Sequence, residues 1–422
     1  MGNTQSPESD PRFVSARRAF TQHYLDDLRS LFQSLAAQSQ SNSKFISPSI
    51  FQEYYGIKGP LGQRMFDLVT QKRNDQKLTF EDLVIAKSVY EKGTRNEIDE
   101  FIYQLLDVNG DDMVDRSDLE AVITTMLDAV FSSSDAGPVS SSPQGISDIF
   151  INAATFSDKV EGHDNSNMSF KDFKSWCSLL PSVRKFLGSL LMPPNPGKSG
   201  FEVPRLLYPE DTSADLLILR REYAWHIAGA LSQHEAEEWK LLYHSSLHGL
   251  SFNTFMGNVT MAEGPTLLII KDKEGCIYGG YASQPWERHS DFYGDMKSFL
   301  FQLFPQASIY RPTGANTNLQ WCAINFSSES IPNGLGFGGK VHHFGLFLSA
   351  SFDQGQTFSC TTFGSPCLSK ESRIYPEVIE CWGVLPNGGQ KDKQDALKGT
   401  VLDRFKEDRN MLNLVGIANS SQ

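Results

Sequence analysis

No stretch of this 422-residue chain approaches the ~20 consecutive apolar residues that a membrane-spanning helix needs. Cysteine is sparse: Cys177, Cys276, Cys322, Cys360, Cys367 and Cys381 are scattered without a C-x-x-C pair, and no apolar signal segment stands at the start. A reducing, cytoplasmic setting is the expectation. Basic residues are in the minority and form no stripe. With 38 Lys and Arg against 50 Asp and Glu, a net charge of −12, the chain lacks the clustered cations that neutralise phosphates, which argues against nucleic acid as a partner. What remains, 40% hydrophobic and 21% charged, is the balance of an ordinary soluble protein. The length predicts two or three domains at ~100–200 residues each.

Against this ordinary background one acidic window stands out. Asp107, Asn109, Asp111, Asp115 and Asp118 fall at positions one, three, five, nine and twelve of a 12-residue stretch, with Val114 at the hydrophobic eighth. This is the spacing of an EF-hand calcium loop: a hard dication takes six to eight oxygens at ~2.3–2.6 Å, and alternate side chains on a tight turn converge on one point. The backbone carbonyl of Met113, at the seventh position, completes the expected set. Two departures favour weak calcium binding, with magnesium as a competitor. Asp112 stands where the turn prefers Gly, and Asp118 replaces the bidentate Glu that closes the usual cage. Asp tolerates the left-handed conformation better than most residues, so the turn survives.

Helical periodicity flanks the window. Phe20, Tyr24, Leu28, Leu31, Phe32 and Leu35 recur at helical spacing, as do apolar residues in 51–69, 84–90, 98–106 and 119–130. A second loop end is recognisable at 78–83, 36 residues before the first by the spacing of Leu78 and Val114, and a third at 168–173. The third is preceded by Glu161, His163, Asn165 and Asn167 at alternate places and closes on Asp172; both extra loops read as degenerate. The opening Met-Gly-Asn-Thr-Gln-Ser matches the pattern for acylation of Gly2, with Ser6 in the favoured place. One acyl chain anchors weakly, and neither a nearby Cys nor a polybasic run adds a second anchor, so any membrane association would be reversible or partner-assisted.

Composition shifts divide the chain. Residues 1–19 read as a flexible start, 20–190 as an all-α EF-hand-like domain interrupted by a Ser/Gly/Pro insertion at 132–145, and 191–213 as a linker around Pro193, Pro194 and Pro196. Beyond it, runs rich in Val, Ile, Phe and Tyr alternate with turns at 267–270, 277–281, 308–310, 321–324, 344–348 and 378–384. These predict a mainly antiparallel sheet, with helices at 220–231 and 235–242. The expected class is α+β and multidomain.

The second half carries a recognisable succession of residues. Trp239 to Phe255 opens it, followed by Gly279-Gly280-Tyr281-Ala282-Ser283, Trp286, Phe299-Leu300-Phe301, Gly336-Phe337-Gly338-Gly339, Phe344-Gly345-Leu346, Thr362-Phe363-Gly364 and Glu380-Cys381-Trp382-Gly383. Over 214–384 this order resembles the TLDc domain. With the EF-hand-like half and the acylation signal, the whole is similar to the branch of that family linked to growth signalling at the lysosome. The resemblance implies a sandwich of two antiparallel sheets flanked by helices, a role in oxidative-stress resistance, and binding to the peripheral sector of the vacuolar proton pump. It brings no catalytic residues, and the expectation is a protein that is not an enzyme.

Physical chemistry gives most of these signature residues structural duties. The glycines suit turns and close sheet packing, and the aromatics a sandwich core. Gly336-Phe337-Gly338-Gly339 is a poor phosphate cradle, because no helix start or P-loop lysine follows it. Glu380 is the exception, since a carboxylate inside an apolar run must find a hydrogen-bond partner or water. It either caps loop amides or joins His248, His342 or His343 in an acid–base or metal site, which is the alternative reading of an oxidoreductase or hydrolase. Cys360 and Cys367 are candidate redox-sensitive thiols or plain buried hydrophobes. The tail, 385–422, places Leu397, Val401, Leu402, Phe405, Met411, Leu412 and Leu414 at partly helical spacing, suited to packing back or docking in a partner groove.

Overall fold

The computed structural model of the protein describes residues 10–39, 44–71, 73, 75–131, 145–159, 166–192, 200–260 and 264–385. Gly2, Glu161, His163, Asn165, Pro193, Pro194 and Pro196 of the expected linker, most of the 132–145 insertion and nearly all of the tail lie outside these.

The first half is helical. Its elements are α1 (Pro11–Arg17), α2 (Gln22–Gln38), α3 (Pro48–Tyr55), α4 (Gly59–Val69), α5 (Phe80–Lys92), α6 (Arg95–Leu106), α7 (Arg116–Phe131), α8 (Ile146–Ile151), α9 (Phe170–Leu179) and α10 (Pro181–Leu187). Local sequence sets several starts. Proline stands in the first turn of α1, α3, α4 and α10, where its missing N–H is no loss. Reciprocal capping boxes open α5 (Thr79 with Asp82), α6 (Thr94 with Glu97) and α9 (Ser169 with Asp172). The helices are arranged as helix–loop–helix units in pairs. Ile46, between α2 and α3, forms an antiparallel bridge with Leu78, between α4 and α5. Val114, between α6 and α7, accepts from the Met168 N–H at 2.8 Å, beside the short ribbon of β1 (Asp158–Lys159) and β2 (Ser166–Asn167). The degenerate loop ends seen in the sequence are thus partners in backbone pairing.

The second half is a sandwich. A seven-stranded sheet runs β3 (Arg205–Leu207), β4 (Glu238–His244), β14 (Pro376–Leu385), β5 (Thr266–Asp272), β6 (Ile277–Ala282), β7 (Phe299–Phe304) and β8 (Ser308–Tyr310). A five-stranded sheet runs β13 (Arg373–Ile374), β12 (Gly355–Gln356), β11 (His343–Ser349), β10 (Gly334–Lys340) and β9 (Gln320–Ala323). All pairings are antiparallel except β3 with β4. Helices α11 (Arg221–Ala228), α12 (Ser245–His248) and α13 (Phe252–Val259) flank the sheets.

One expected helix is a strand. Residues 235–242 supply a short 3-10 turn and then β4, which pairs with β14 from Glu238↔Leu385 to His244↔Glu380. Trp239, Leu241 and Tyr243 are buried while Lys240 is exposed, a period of two that the sheet exploits.

The large sheet is buried on both faces. Leu268, Ile270, Tyr278 and Leu300 meet Leu335, Phe337, Leu346 and Leu348 of the small sheet. The alternate residues Leu267, Ile269, Tyr281, Phe299 and Phe301 join a core that runs without interruption back to Phe13. At Gly280 the sheets leave no room for a side chain, since a Cβ there would lie 2.6 Å from the Phe337 ring. Across the two halves the Ala307 N–H donates to the Ile149 carbonyl at 2.8 Å, Lys185 Nζ reaches the Leu231 carbonyl at 3.0 Å, and Phe150 meets Trp225 edge-on.

Candidate calcium loop and the buried glutamate

The acidic loop has the turn its spacing requires. Asp107 ends α6, Gly110 and Asp112 take left-handed conformations (φ 80° and 65°), and Asp118 sits in the first turn of α7. The Asp at position six therefore does adopt the backbone expected of Gly. Each oxygen-bearing side chain is engaged with loop donors. Asp107 Oδ1 accepts from the N–H groups of Gly110 (2.8 Å) and Asp111 (3.1 Å), and Oδ2 from that of Asp112 (3.2 Å). Asn109 accepts from the Asp111 N–H and Asp111 from that of Met113, each at 2.9 Å. The Met113 side chain faces solvent.

Asp115 and Asp118 cap one another. Asp115 Oδ1 accepts from the N–H of Asp118 at 3.0 Å, while Asp118 Oδ2 accepts from that of Asp115 at 3.1 Å. The same ninth-to-twelfth reciprocity is made by Thr79 with Asp82 and by Ser169 with Asp172. This gives a physical reason for Asp at the twelfth place: a short carboxylate at the third helical position returns to the cap residue and closes the box. Burial, with the charges of Asp115 and Asp107, pushes Asp118 up to about 6. Asp115 moves the other way, because hydrogen bonds from Ser117 and Asp118 outweigh its burial.

A cation already touches this loop. Arg64 of α4 sets Nη2 2.6 Å from Asp107 Oδ2 and donates from Nε to the Gln104 carbonyl at 2.9 Å, with both charged side chains nearly sealed at 6% and 5% exposed. The residues fit a hard dication in kind and order, being all oxygen donors. In placement they do not converge: among the described residues no three His, Cys, Asp or Glu side chains are gathered to hold a metal ion. Arg64 belongs to a helix 43 residues upstream in sequence, and nothing in the loop's own residues signals it.

Glu380 is fully buried in β14 and accepts three hydrogen bonds. Ile218 N–H reaches Oε1 at 2.5 Å, and Leu219 N–H (3.1 Å) and Trp382 Nε1–H (2.9 Å) reach Oε2. The histidine beside it is none of the three considered from sequence. His248 takes the His244 N–H on its Nδ1, His342 lies on the β10–β11 turn, and His343 opens β11, where it stacks on Phe358. Register across β4 and β14 brings up His244 instead, its Nε2 3.6 Å from Glu380 Oε1 and 3.2 Å from the Leu216 carbonyl. Both side chains are sealed from solvent, and neither lines the neighbouring cavity bordered by Leu216, Leu217 and Ile218. Burial raises the Glu380 carboxyl above its ordinary range and lowers the His244 imidazole. The arrangement ties loop 216–219 to the sheet.

Residues 213–385 match the TLDc domain family. The second half of this chain is a TLDc domain. Relatives extend the likeness. The zebrafish (Danio rerio) MTOR-associated protein MEAK7 is 30% identical over 293 residues, 66% of this chain and 62% of that protein. The mouse (Mus musculus) protein of the same name is 34% identical over 200 residues, 47% of this chain and 43% of its own length. Oxidation resistance protein 1 of rat (Rattus norvegicus) is 33% identical over 144 residues, 34% of this chain and 16% of that protein. The chain spans less than two thirds of the length of these relatives.

Within the TLDc domain the glycine-rich stretch 336–339 is strand β10, not a loop that could cradle phosphate. Cys360 is buried against Gly338 and Gly345, as a small hydrophobe. Cys367 is half-buried and donates to the Thr357 carbonyl at 3.3 Å. No helix among the described residues is long and apolar enough to cross a membrane.

Proposed function

We propose that this protein is a non-enzymatic, calcium-responsive adaptor. Its TLDc half binds the peripheral sector of the vacuolar proton pump, and its helical half reads calcium through Asp107, Asn109, Asp111, Asp115, Asp118 and the Met113 carbonyl. The observation that carries the non-enzymatic part is Glu380: the buried carboxylate beside His244 spends its oxygens on two loop amides and an indole and is sealed from solvent. A general acid or base must reach the proton it moves. The names of the relatives support a setting in growth signalling and in resistance to oxidation. Bound calcium would add positive charge beside the five carboxylates of the loop, only one of which Arg64 meets, and would favour whichever conformer gathers the ligands. The reading places the protein at the cytoplasmic face of lysosomal or vacuolar membranes, with an acyl group on Gly2 assisting.

Pull-down of the full chain with the isolated peripheral sector, in calcium and in chelator, tests this. Binding is expected in both, stronger in one, with the difference lost in Asp107→Ala. No binding under either condition would sink the adaptor reading, and equal binding would leave calcium outside it.

A further inference from the structure

The second helix–loop–helix unit, residues 71–82 between α4 and α5, shares the frame of the acidic loop but not its charge. Leu78 stands at the eighth place and bridges to Ile46, and Asp82 closes at the twelfth. At the third place, where a calcium loop presents an oxygen, stands Arg73. Its guanidinium turns back into the loop. Nη1 lies 3.1 Å from Asp82 Oδ1 and Nη2 2.5 Å from Oδ2, while Nη2 also donates to the Lys77 carbonyl at 2.9 Å. Nε stands 3.7 Å from Asp75 Oδ1. Asp75, the Lys77 carbonyl and Asp82 occupy places five, seven and twelve, three of those from which such a loop draws the oxygens around its ion.

We propose that Arg73 is the resident cation of the second loop: its guanidinium stands where a divalent ion would, so the first pair of units is closed whether or not calcium is present. Geometry favours the substitution. A guanidinium is planar, permanently charged and carries five donors in a fork that matches a carboxylate two-to-two, as it does on Asp82. Being covalently tethered, it has an effective concentration that neither a chelator nor a calcium pulse alters. Asp82, buried at 4% exposure, also accepts the Thr79 N–H and hydroxyl, so the pair holds the start of α5 as an ion would. It follows that calcium acts through residues 107–118 and leaves the first pair untouched. This last clause rests on the calcium reading above; the occupancy of the second loop does not.

The test uses the full chain carrying Asp107→Ala, which silences the acidic loop, and follows thermal unfolding in chelator and in calcium up to ~10 mM. D107A should melt at one temperature throughout. D107A with Arg73→Asn should melt lower in chelator and recover as calcium rises, half of the recovery falling on the order of 10⁻⁴–10⁻³ M, the range of weak oxygen cages. Adding Asp82→Asn should abolish that recovery. D107A with Arg73→Lys, which keeps the charge but not the fork, should melt between the two and ignore calcium. The proposal is overturned by an R73N chain that melts like its parent, by lowered stability that calcium cannot restore, or by an R73K chain that calcium shifts. A calcium shift in D107A that vanishes on D82N would also overturn it, by putting an ion in the second loop despite Arg73. Whether the chain with Asp107 intact responds to calcium bears on the other reading alone.

Discussion

Replacing Glu380 by Gln separates a structural carboxylate from a catalytic one. Three N–H donors, from Ile218, Leu219 and Trp382, converge on its two oxygens. Gln keeps one acceptor and turns an NH2 group toward at least one of those donors, so one to two hydrogen bonds to a charged acceptor are lost. At ~1.5–3 kcal/mol each, less the relief of burying a neutral group, the net loss should be about 2 kcal/mol. Urea unfolding of both proteins across pH 4–8 reads it directly. The pH dependence has a definite sign. Burial raises the folded-state carboxyl above its ordinary 4.5, so the folded chain holds the proton more tightly than the unfolded one. Its contribution is complete below that value and falls as pH rises through the raised one. E380Q should lack this slope, and the gap between the proteins should narrow as pH rises. An E380Q chain as stable as the parent at every pH would refute the anchoring role, and one that keeps its stability but loses turnover of a small molecule would restore the enzyme reading.

Further tests bear on other parts of the molecule. Arg64→Met breaks a buried pair, which costs ~3–5 kcal/mol where the partner is stranded, and less here because three loop N–H groups still hold Asp107. Melting in chelator should drop, and the rise on adding calcium should exceed that of the parent; an unchanged calcium response would show that Arg64 does not oppose the ion. Burial pushes the fully buried His226 down to about 3, so the folded chain leaves it neutral while the unfolded one protonates near 6.5. Stability should therefore be lost as pH falls from 6.5 toward 3, and His226→Leu should flatten that loss in acid-unfolding curves. Gly280→Ala places a methyl 2.6 Å from the Phe337 ring and should cost ~1–3 kcal/mol in urea unfolding; a neutral effect would mean that the sheets part easily.

How far the sequence discloses this molecule depends on how local each signal is. The acidic loop was legible because its oxygens sit within one 12-residue window, and the strands of the large sheet because Leu267 to Ile270 form an unbroken apolar run. Burial on both faces produces such a run. The stretch 235–242 was misread because Ala236, Trp239 and Leu242 recur every three residues, near helical spacing; pairing with β14, over 130 residues away, decides it. The unit around Ile46 was not legible at all: Ser39, Ser41, Ser43 and Ser47 stand where carboxylates would, and only the bridge to Leu78 reveals it. Arg73 looked like degeneracy because no pattern expects a cation in a ligand place. Arg64 and His244 were missed because their partners, Asp107 and Glu380, lie on other elements.

The unbroken core beneath the large sheet has a practical consequence for anyone dissecting this protein. A fragment cut to residues 213–385 would lose Phe150 of α8, Phe173 and Trp176 of α9 and Phe186 of α10, which share one continuous core with Trp225, Leu267 and Phe301, and would leave part of that core bare. Bare apolar walls of that kind recruit whatever hydrophobic surface is near. Apparent partners captured by the isolated fragment would then report missing shelter, and only those that also bind the longer chain would merit belief.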